Sequence, residues 1–494
     1  MAIELPTTSL NLYSITLSII GIFALYVIGD LLRYRYAMYK AGCKPATRYR
    51  HKDPIFGLDL FLKRIDAMEE GIWLDIDPYL FSNYGKTVLT NSWGTKQYVT
   101  KDSRNIQTIL TTEVGNFGAA PMNYAVTKPF LGEGIMTTDG ARWKLSRQFI
   151  NPIFSRAQVS ELSTFENHVR KMIDHIPRDG SMIDMQPLSK SLYLDSTTEF
   201  IFGKSANSLT PDTSNVITRR LPELFDDALR GMLTRFLLGK FRFLAPNKKA
   251  WRKKCERHCR EEEDSSDTPY KYVLLRELAK ATDDKLFIRN ELMHIYFPAR
   301  DSAAVLTSNA IFLLPRHPDE WNKAREEVLG IGEEKLTFEK LKSMKCLQHI
   351  VSETLRIFSP VVRSWKTCLK PTILPHGGGP QGTSPFLLEA GDQVDMAFGS
   401  MHIDPDIWGT DALEFKPDRW EGRKVDWGYI PFLGGRRICP AQQNVLTDVS
   451  YVLARLMQEF SVCENRNECF EGLSTQVFTK ESSNGCRVSF VPVE

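Results

Sequence analysis

The longest apolar run in the sequence lies near its N-terminus, at residues 10–29 (LNLYSITLSIIGIFALYVIG). The run carries no charged side chain and only mild polar interruptions. As a helix it would be roughly 30 Å long, which matches the hydrocarbon thickness of a bilayer. No later stretch is as long and as apolar. The pattern therefore predicts one transmembrane helix.

The remaining hydrophobic positions change period along the chain. Residues 88–100 alternate, with β-branched and aromatic side chains, and predict short strands. Residues 288–314 predict one long, largely apolar helix, and residues 339–358 predict a second, amphipathic helix. Glycine and proline clusters with short apolar runs at 366–395 indicate loops and short strands. Residues 441–460 return to a helical pattern, so the fold is expected to be mainly α with small β-sheets.

Charge sets the expected orientation of the apolar run. Six basic residues follow it, whereas the nine residues before it carry only Glu4; the six are Arg33, Arg35, Lys40, Lys44, Arg48 and Arg50. The positive-inside rule then places the C-terminal side in the cytosol. A cleaved signal peptide, which should begin with basic residues, and a buried core helix are the alternatives. We predict an anchor at 1–32, a basic linker at 33–55 and one catalytic domain at 56–494.

Composition excludes several classes of protein. The chain has 63 basic and 60 acidic residues, a net charge of +3, which does not favour a nucleic-acid binder. Its nine cysteines are scattered, so a disulfide scaffold is not expected and the domain belongs in a reducing compartment. Cys255, His258 and Cys259 have the spacing of half a zinc site, but no second half follows. A solvated helix face is the favoured interpretation there.

One cysteine stands in a loop with distinctive chemistry, PFLGGRRICPAQQ at residues 431–443. Cys439 comes just before a predicted helix, whose dipole and free N–H groups favour a thiolate. Gly434 and Gly435 permit a tight turn and close approach to a flat cofactor. The guanidinium groups of Arg436 and Arg437 can each donate two parallel hydrogen bonds to a carboxylate. On local chemistry alone, a buried structural cysteine is the favoured interpretation and an iron ligand is the alternative.

The loop resembles the cysteine-ligand loop of the cytochrome P450 family, F-x-x-G-x-R-x-C-x-G. It matches at Phe432, Gly435, Arg437 and Cys439, and Ala441 stands in the last glycine position. The resemblance implies a haem-thiolate fold that binds haem b, with Cys439 as the iron ligand. It also implies haem-binding roles for Phe432, Gly435 and Arg437.

Further motifs resemble the same family in the same order. Glu353 and Arg356 match the family's ExxR pair, and the segment FKPDRW at 415–420 supplies Arg419. The resemblance implies that these three form a structural cluster that holds the cysteine loop. A buried cluster of this kind is costly to break by losing one member.

Two other motifs resemble the family's contacts with the haem propionates. Trp143 and Arg147 match the W-x-x-x-R helix, at positions that share one helix face. After the ExxR helix, Arg363 and Lys366 are both candidates for further propionate contacts, and Lys366 is preferred. The resemblance therefore assigns Trp143, Arg147 and Lys366 to cofactor binding.

Residues 296–303 (YFPARDSA) resemble the family's oxygen-activation segment, which implies catalytic roles for Asp301 and Ser302. A carboxylate can relay protons from solvent, and a hydroxyl can hold the bound oxygen or a water. Serine replaces the usual threonine, which loosens the rotamer. Pro298 replaces a small residue and frees the carbonyl of His294, so we expect a kinked helix. A broken helix with an incidental aspartate is the alternative.

The stretches HKDPIFGLDLF, 373–422 and RICPAQQ most resemble the fungal branch that hydroxylates alkanes and fatty acids, relatives of which serve specialised-metabolite pathways. The resemblance implies a monooxygenase that inserts one atom of O2 into an apolar, largely aliphatic substrate. Residues 205–285, which form the lid in the family, are short and charged, so substrate identity is least transferable there. Candidate pocket residues are Phe117, Tyr124, Phe297, Val361, Val362 and Phe478.

Neither a dinucleotide-binding G-x-G-x-x-G nor a Walker loop is evident, so electrons are expected from a partner. The resemblance implies NADPH–cytochrome P450 reductase, with cytochrome b5 as a further candidate, and a single-pass location in the endoplasmic reticulum membrane. A haem-thiolate isomerase or dehydratase that needs no reductase is one alternative. A non-catalytic haem-binding protein is the other.

Overall fold

The structure is a computed structural model, and it describes residues 7–69, 76–154, 162–210, 216–245, 274–332, 334–467, 474–476 and 479–493. Within these ranges the helices are α1 Thr7–Lys40, α2 Leu58–Glu69, α3 Ile76–Tyr84, α4 Ser103–Gln107, α5 Ala120–Thr127, α6 Gly140–Ile150, α7 Ser163–Asp174, α8 Met185–Phe202, α9 Val216–Leu237, α10 Leu274–Ala281, α11 Lys285–Leu313, α12 Pro318–Leu329, α13 Phe338–Ser343, α14 Lys345–Ile357, α15 Phe398–His402, α16 Pro405–Trp408 and α17 Gln442–Glu459.

The strands are short, and in the described ranges they are β1 Thr47–Arg48, β2 Thr87–Ser92, β3 Thr95–Thr100, β4 Phe117–Gly118, β5 Ile183–Asp184, β6 Ser364–Cys368, β7 Thr372–Gly378, β8 Ser384–Leu388, β9 Gln393–Met396, β10 Phe460–Asn465, β11 Ser474–Gln476, β12 Lys480–Ser482 and β13 Arg487–Pro492. The prediction of a mainly helical fold with small sheets is confirmed.

The largest sheet has six strands in the order β1-β2-β3-β9-β6-β4. Strands β2 and β3 are the short strands predicted at 88–100, and they pair as a hairpin with Leu89 opposite Tyr98. Strand β6 lies between β9 and β4, and Lys366 pairs with Val394. Because side chains alternate along a strand, Lys366 and its neighbour Trp365 point to opposite faces of this sheet.

The long helix α11 crosses the core, as predicted for residues 288–314. Asp284 caps it by accepting hydrogen bonds from the N–H groups of Leu286 and Phe287. Most of its residues are buried, and the helix runs without interruption through Pro298. The alternative of a broken helix is therefore wrong, because the flanking turns and tertiary packing hold the helix together across the missing N–H.

The single helix predicted at 339–358 is wrong in one respect, because the structure has two helices, α13 and α14. Met344 between them has extended backbone (ψ 96°) and a buried side chain. The amide of Gln348 donates to the carbonyl of Leu341 (3.0 Å), and the carboxylate of Glu327 accepts from the N–H of Leu347 (3.1 Å). These side chains satisfy backbone groups at the break, which helical periodicity does not reveal.

Helix α1 contains the predicted apolar run and continues to Lys40. Within Tyr13–Lys40, the most apolar window of 18 residues has a mean hydropathy of 2.2 and is not buried. This is the one helix in the described ranges that is long and apolar enough to cross a membrane. Near its C-terminal end, the Tyr34 hydroxyl donates to the carbonyl of Leu387 (3.1 Å), which joins the helix to β8.

Some predictions fall outside the described residues. Cys255, His258, Cys259 and Phe478 lie there, as do residues 211–215 and 246–273 of the charged zone at 205–285.

Candidate active site

The loop that carries Cys439 is folded back against the rest of the core. The N–H of Cys439 donates to the carbonyl of Phe432 (3.0 Å), which closes the loop on itself. Gly435 has a φ of +64°, and a Cβ there would lie 2.1 Å from the carbonyl oxygen of Leu110. Glycine is therefore required at this position both by the backbone conformation and by the close approach of a neighbouring segment.

Ala441, in the place of the family's last glycine, causes no backbone strain. Its φ is −90°, inside the region open to any residue, and it precedes α17 directly. Its N–H hydrogen-bonds the sulfur of Cys439, as the predicted position before a helix allows. Burial raises the pKa of the Cys439 thiol, while this N–H and the nearby Arg147 act in the opposite direction. The loop therefore presents a largely shielded sulfur with a donor already aimed at it.

Trp143, Arg147 and Arg437 meet beside this loop. Arg147 donates to the carbonyl of Ile438 (2.8 Å), next to the cysteine. The Arg437 guanidinium lies 4.7 Å above the ring of Trp143, donates to the carbonyl of Thr138 (2.8 Å) and pairs with Asp139. The loop and helix α6, which are almost 300 residues apart in the sequence, are thus joined by their predicted cofactor-binding side chains.

Lys366 completes a group of three cations. It is buried, and Arg437 and Asp139 lie close enough to act on its charge. Burial and the positive charge of Arg437 lower the pKa of Lys366 to about 8, against the attraction of Asp139. Among the described residues, Asp139 is the one carboxylate that acts on Lys366 and Arg437, and it already accepts from Arg437 and from the N–H of Ala120 (2.8 Å).

The charges of this group fit a haem. Arg147, Lys366 and Arg437 supply three positive charges against the single negative charge of Asp139. The two positive charges left over match the two propionates of a haem, and a buried cation gains most from such a partner. Cys439 adds a soft sulfur ligand of the kind that binds haem iron. These residues would hold the iron and the two propionates of that cofactor.

The predicted cluster of Glu353, Arg356 and Arg419 is present in full. Glu353 accepts two hydrogen bonds from Arg356 (2.8 and 2.9 Å) and one from Arg419 (2.8 Å). It also accepts from the N–H of Lys416 (2.9 Å) and the indole of Trp420 (3.0 Å). Arg356 in turn donates to backbone carbonyls of the segment between β9 and the cysteine loop, at His402, Ala412 and Glu414.

The predicted oxygen-activation residues lie in the middle of α11. Oδ1 of Asp301 is 3.6 Å from Nε of Arg300, and both side chains are largely buried. The Ser302 hydroxyl donates to the carbonyl of Pro298, one turn earlier (2.8 Å). A serine that bonds back in this way often bends its helix, as does the proline.

Sequence reasoning missed polar groups on the N-terminal half of the same helix. Glu291 is fully buried, and it accepts from the Ser146 hydroxyl of α6 (2.5 Å). Burial raises the pKa of Glu291 to about 7, although the Ser146 hydroxyl, the N–H of Ile135 and Arg142 oppose this shift. His294 is also buried, which lowers its pKa to about 4. An apolar helical pattern with two polar positions three residues apart is the signal that could have marked them.

Asp139 was also missed, although an aspartate before a predicted helix is a standard capping signal. Its carboxylate instead accepts from two N–H groups at the start of α5 and from Arg437. It therefore links three separate elements around the cation group.

The candidate pocket residues do not form one group. Phe297 is buried in an apolar cluster with Val126, Phe130 and Ile295. Phe117 belongs to a different cluster. Val362 is buried and Val361 is exposed, whereas the Tyr124 hydroxyl donates to Glu133 (3.3 Å). Of these residues, Phe297 is closest in sequence to Asp301 and Ser302.

Comparisons with known proteins identify the family of the chain. The cytochrome P450 family pattern matches residues 54–484. The chain is 34% identical to cytochrome P450 monooxygenase iliC of Neonectria sp. (strain DH2), over 92% of this chain and 94% of that protein. It is 34% identical to cytochrome P450 monooxygenase iccC of Talaromyces variabilis (86% and 88%) and 35% identical to cytochrome P450 52A13 of Debaryomyces hansenii (87% and 88%).

These relatives cover most of both chains. Membership of this family implies a haem-thiolate cofactor. The chain is a member of the cytochrome P450 family and one of its monooxygenases.

Proposed function

We propose that the chain inserts one oxygen atom from O2 into an apolar, largely aliphatic substrate, by hydroxylation and by further oxidation of the same carbon when the product binds again. The observation that carries this proposal is the position of Asp301 and Ser302. An acid and a hydroxyl lie side by side in α11, immediately after Phe297 and its apolar cluster. Proton donors beside an apolar space suit oxidation of an unreactive C–H bond.

In this proposal Cys439 is the iron ligand of haem b, and Trp143, Arg147, Lys366, Phe432, Gly435 and Arg437 hold the cofactor. A bound haem-thiolate supplies the activation of O2 and the transfer of one oxygen atom to the substrate. Arg147 and Lys366 contribute positive charge that Asp139 does not balance. Gly435 keeps the loop close to Leu110, so that the sulfur stays in a fixed position.

We assign proton transfer during the reaction to two side chains of this chain, Asp301 and Ser302. Asp301 lies beside Arg300, which favours the charged carboxylate between successive proton transfers. The Ser302 hydroxyl donates a hydrogen bond to the carbonyl of Pro298, so the lone pairs of the hydroxyl oxygen can still accept hydrogen bonds. Rotation about χ1 would turn that proton towards a ligand, and serine rotates more freely than threonine.

We further propose where the protein works and with which partner. The apolar helix α1 anchors the chain in the endoplasmic reticulum membrane, with the catalytic domain at 56–494 in the cytosol and the segment 33–55 at the membrane surface. NADPH–cytochrome P450 reductase supplies electrons, and cytochrome b5 is a second donor. The fungal relatives support a role in a specialised-metabolite pathway.

A carbon monoxide difference spectrum of the reduced full-length protein tests the cofactor assignment. We expect a strongly red-shifted Soret band for the wild type and its loss in Cys439→Ala. Cys346→Ala, which removes another partly exposed thiol, is the matched control and should keep the band. A wild type without that band contradicts the proposal.

A second assay tests the reaction. Substrate-dependent NADPH consumption with reductase, measured together with product, is expected for a monooxygenase. Product formed without NADPH would instead support an isomerase or dehydratase, a possibility that Pro298 and Ser302 keep open because both depart from the family's oxygen-activation segment. Haem binding with no turnover of any substrate would support a non-catalytic haem protein.

A further inference from the structure

The chain between α5 and α6 forms a tight loop at residues 132–138, the α5–α6 loop. At its centre the carbonyl of Gly134 accepts from the N–H groups of Thr137 and Thr138 (3.1 Å each) and from the Thr138 hydroxyl (2.8 Å). The Thr137 hydroxyl accepts from the N–H of Gly134 (3.0 Å) and donates to the carbonyl of Gly132 (2.9 Å). These bonds fix the shape of the loop but not its position on the protein.

Glu291 of α11 joins the loop to two helices. Its buried carboxylate accepts from the N–H of Ile135 in the loop and from the Ser146 hydroxyl of α6. Arg142 of α6 is the cation that acts on this carboxylate. Because the Glu291 side chain is fully shielded from solvent, a variant without an acceptor would leave a buried N–H unsatisfied. The loop would then gain by moving away from α11.

His294, almost one turn further along α11, contacts the same loop by shape and by a hydrogen bond. A Cβ on Gly134 would lie 2.1 Å from Cδ2 of the imidazole, so the ring lies directly against the loop backbone. Nε2 of His294 is 3.4 Å from Oγ1 of Thr137. The Thr137 hydroxyl already donates to Gly132, so the histidine nitrogen is the donor. Asn290 lies against Gly132 in the same way, where a Cβ would be 2.5 Å from its amide oxygen.

The C-terminal end of the loop is bound to the cysteine loop. The carbonyl of Thr138 accepts from Arg437 (2.8 Å), and the next residue, Asp139, pairs with the same guanidinium. From α5, the amide of Asn123 donates to the carbonyl of Met136 (3.1 Å). The α5–α6 loop therefore reaches from α11, which carries the proposed oxygen-activation residues, to an arginine of the haem site.

Two apolar side chains of the loop belong to the wall of the proposed substrate space. Ile135 and Met136 are half-buried and pack against the apolar cluster that contains Phe297 of α11. Asp301 follows Phe297 by one turn on that helix. Because the N–H of Ile135 is the group that Glu291 holds, this hydrogen bond controls where the two apolar side chains lie relative to the site of oxidation.

We propose that Glu291 and His294 are positioning residues, which hold the α5–α6 loop on α11 and thereby set the apolar wall formed by Ile135 and Met136. Neither has to contact the substrate. The role of Glu291 requires an acceptor oxygen and not a negative charge, since a neutral carbonyl oxygen also accepts from an N–H. The inference rests on the proposed function, because this wall affects the reaction only if an apolar substrate lies beside α11.

Hydrogen–deuterium exchange of the full-length holoprotein, followed by mass spectrometry, tests how the loop is held. Glu291→Leu has no acceptor, and we expect the peptide that contains Ile135 to exchange at least about fivefold faster than in the wild type. Glu291→Gln keeps an acceptor oxygen and should exchange as slowly as the wild type. Asn309→Leu is the matched control, because it removes another buried polar side chain of α11, one that donates to the carbonyl of Phe358 (2.9 Å).

Two azoles that bind to haem iron test the wall, and their binding is measured by difference spectroscopy. Imidazole occupies little of the space, whereas 1-phenylimidazole adds a ring that must pack against the wall. We expect Glu291→Leu to weaken 1-phenylimidazole binding at least about threefold and imidazole binding less than about twofold, because a loosened wall must be ordered on binding. Glu291→Gln and Asn309→Leu should keep the wild-type ratio of the two affinities. A loss of stability alone would leave that ratio unchanged.

A size exchange between Gly134 and His294 tests their contact directly, and it serves if Glu291→Leu does not fold. Gly134→Ala should speed exchange of the loop and weaken 1-phenylimidazole binding, because the added methyl group collides with the imidazole. His294→Ala removes that ring. The double variant should therefore be closer to the wild type in both measurements than Gly134→Ala alone.

Unchanged exchange of the loop in Glu291→Leu and Gly134→Ala overturns the inference, as does a constant ratio of the two azole affinities. A double variant no better than Gly134→Ala contradicts the role of His294. If the loop does not respond but an apolar substrate is oxidised with NADPH, only this inference has failed. If the loop and the ratio respond but no substrate is oxidised, the positioning roles stand and the proposed function has failed. A wild type that binds neither azole contradicts the proposed function, and exchange of the loop then decides the inference.

Discussion

Two fully buried glutamates in this protein have opposite surroundings. Glu353, on the cysteine-loop side, accepts five hydrogen bonds from Arg356, Arg419, Trp420 and the backbone of Lys416. Glu291, on α11, has one side-chain donor, Ser146, and its Oε2 has no hydrogen-bond partner among the described residues. The first carboxylate holds a segment in place because every lone pair is used. The Glu291 carboxylate lies in surroundings that make its negative charge energetically unfavourable.

The same contrast extends to the regions around them. The cysteine-loop side follows the family's motifs at each position except Ala441, where the backbone tolerates the change. The α11 side departs at Pro298 and Ser302 and contains the buried titratable groups Glu291 and His294. We infer that the polar groups of the first region hold the backbone in position. The second region contains groups whose protonation can change.

The largest expected effect is on the first region. Glu353→Gln replaces a carboxylate by an amide, which leaves Arg356 buried without its counter-charge and Arg419 paired only with Asp411 (3.3 Å). We expect a loss of about 3–5 kcal/mol in the free energy of unfolding, measured by urea denaturation, together with reduced haem retention. The exposed Glu421→Gln is the control and should change little. A loss below about 1 kcal/mol would show that the cluster does not hold the loop.

The second prediction concerns Glu291, whose substitution should raise the free energy of unfolding at pH 7.5 and above, where that of Glu353 lowers it. Burial raises its pKa from 4.5 to about 7, so between these values the native state binds more protons than the unfolded chain. The free energy of unfolding should therefore fall as the pH rises through this window, by about 3 kcal/mol. Glu291→Gln should remove that fall and make the protein more stable at pH 7.5 and above. Exposed Glu326→Gln should leave the pH profile unchanged.

The third prediction separates chemistry from stability on α11. Asp301→Asn and Ser302→Ala should each lower coupled product formation by about 100-fold, because proton delivery is lost. The red-shifted carbon monoxide band should remain, and Ser302→Thr should retain activity. Ser308→Ala is the control, since the Ser308 hydroxyl makes the same kind of bond to the carbonyl one turn earlier (2.9 Å). If Ser308→Ala is equally impaired, the effect of Ser302→Ala reflects the helix and not the chemistry.

The smallest expected effect concerns Pro298. Pro298→Ala restores an N–H that can donate to the carbonyl of His294, and we expect the protein to gain about 1 kcal/mol in stability, measured by urea denaturation. Pro318→Ala is the control, because Pro318 stands in the first turn of α12, where the N–H has no partner in the helix. No gain in Pro298→Ala would mean that the surrounding packing already favours the proline.

The features that were predicted most accurately are those formed by residues close together in the sequence. The loop around Cys439, the ExxR pair and the long helix α11 each depend on residues a few positions apart, so spacing and periodicity reveal them. The break at Met344 was missed because its capping groups, Glu327 and Gln348, lie in other turns. The sequence also did not predict the cavity that Arg64, Gln97 and Arg242 line, because these residues belong to separate elements that only the fold brings together.

The buried ammonium of Lys366 has a consequence for how the protein matures. This cation is buried close to a second one, Arg437, and the propionates of a haem would offset the cost of that burial. A cofactor that binds only the folded chain stabilises it by mass action. We therefore expect the yield of intact protein in a producing cell to follow the supply of haem, with chains made in excess of that supply lost to proteolysis.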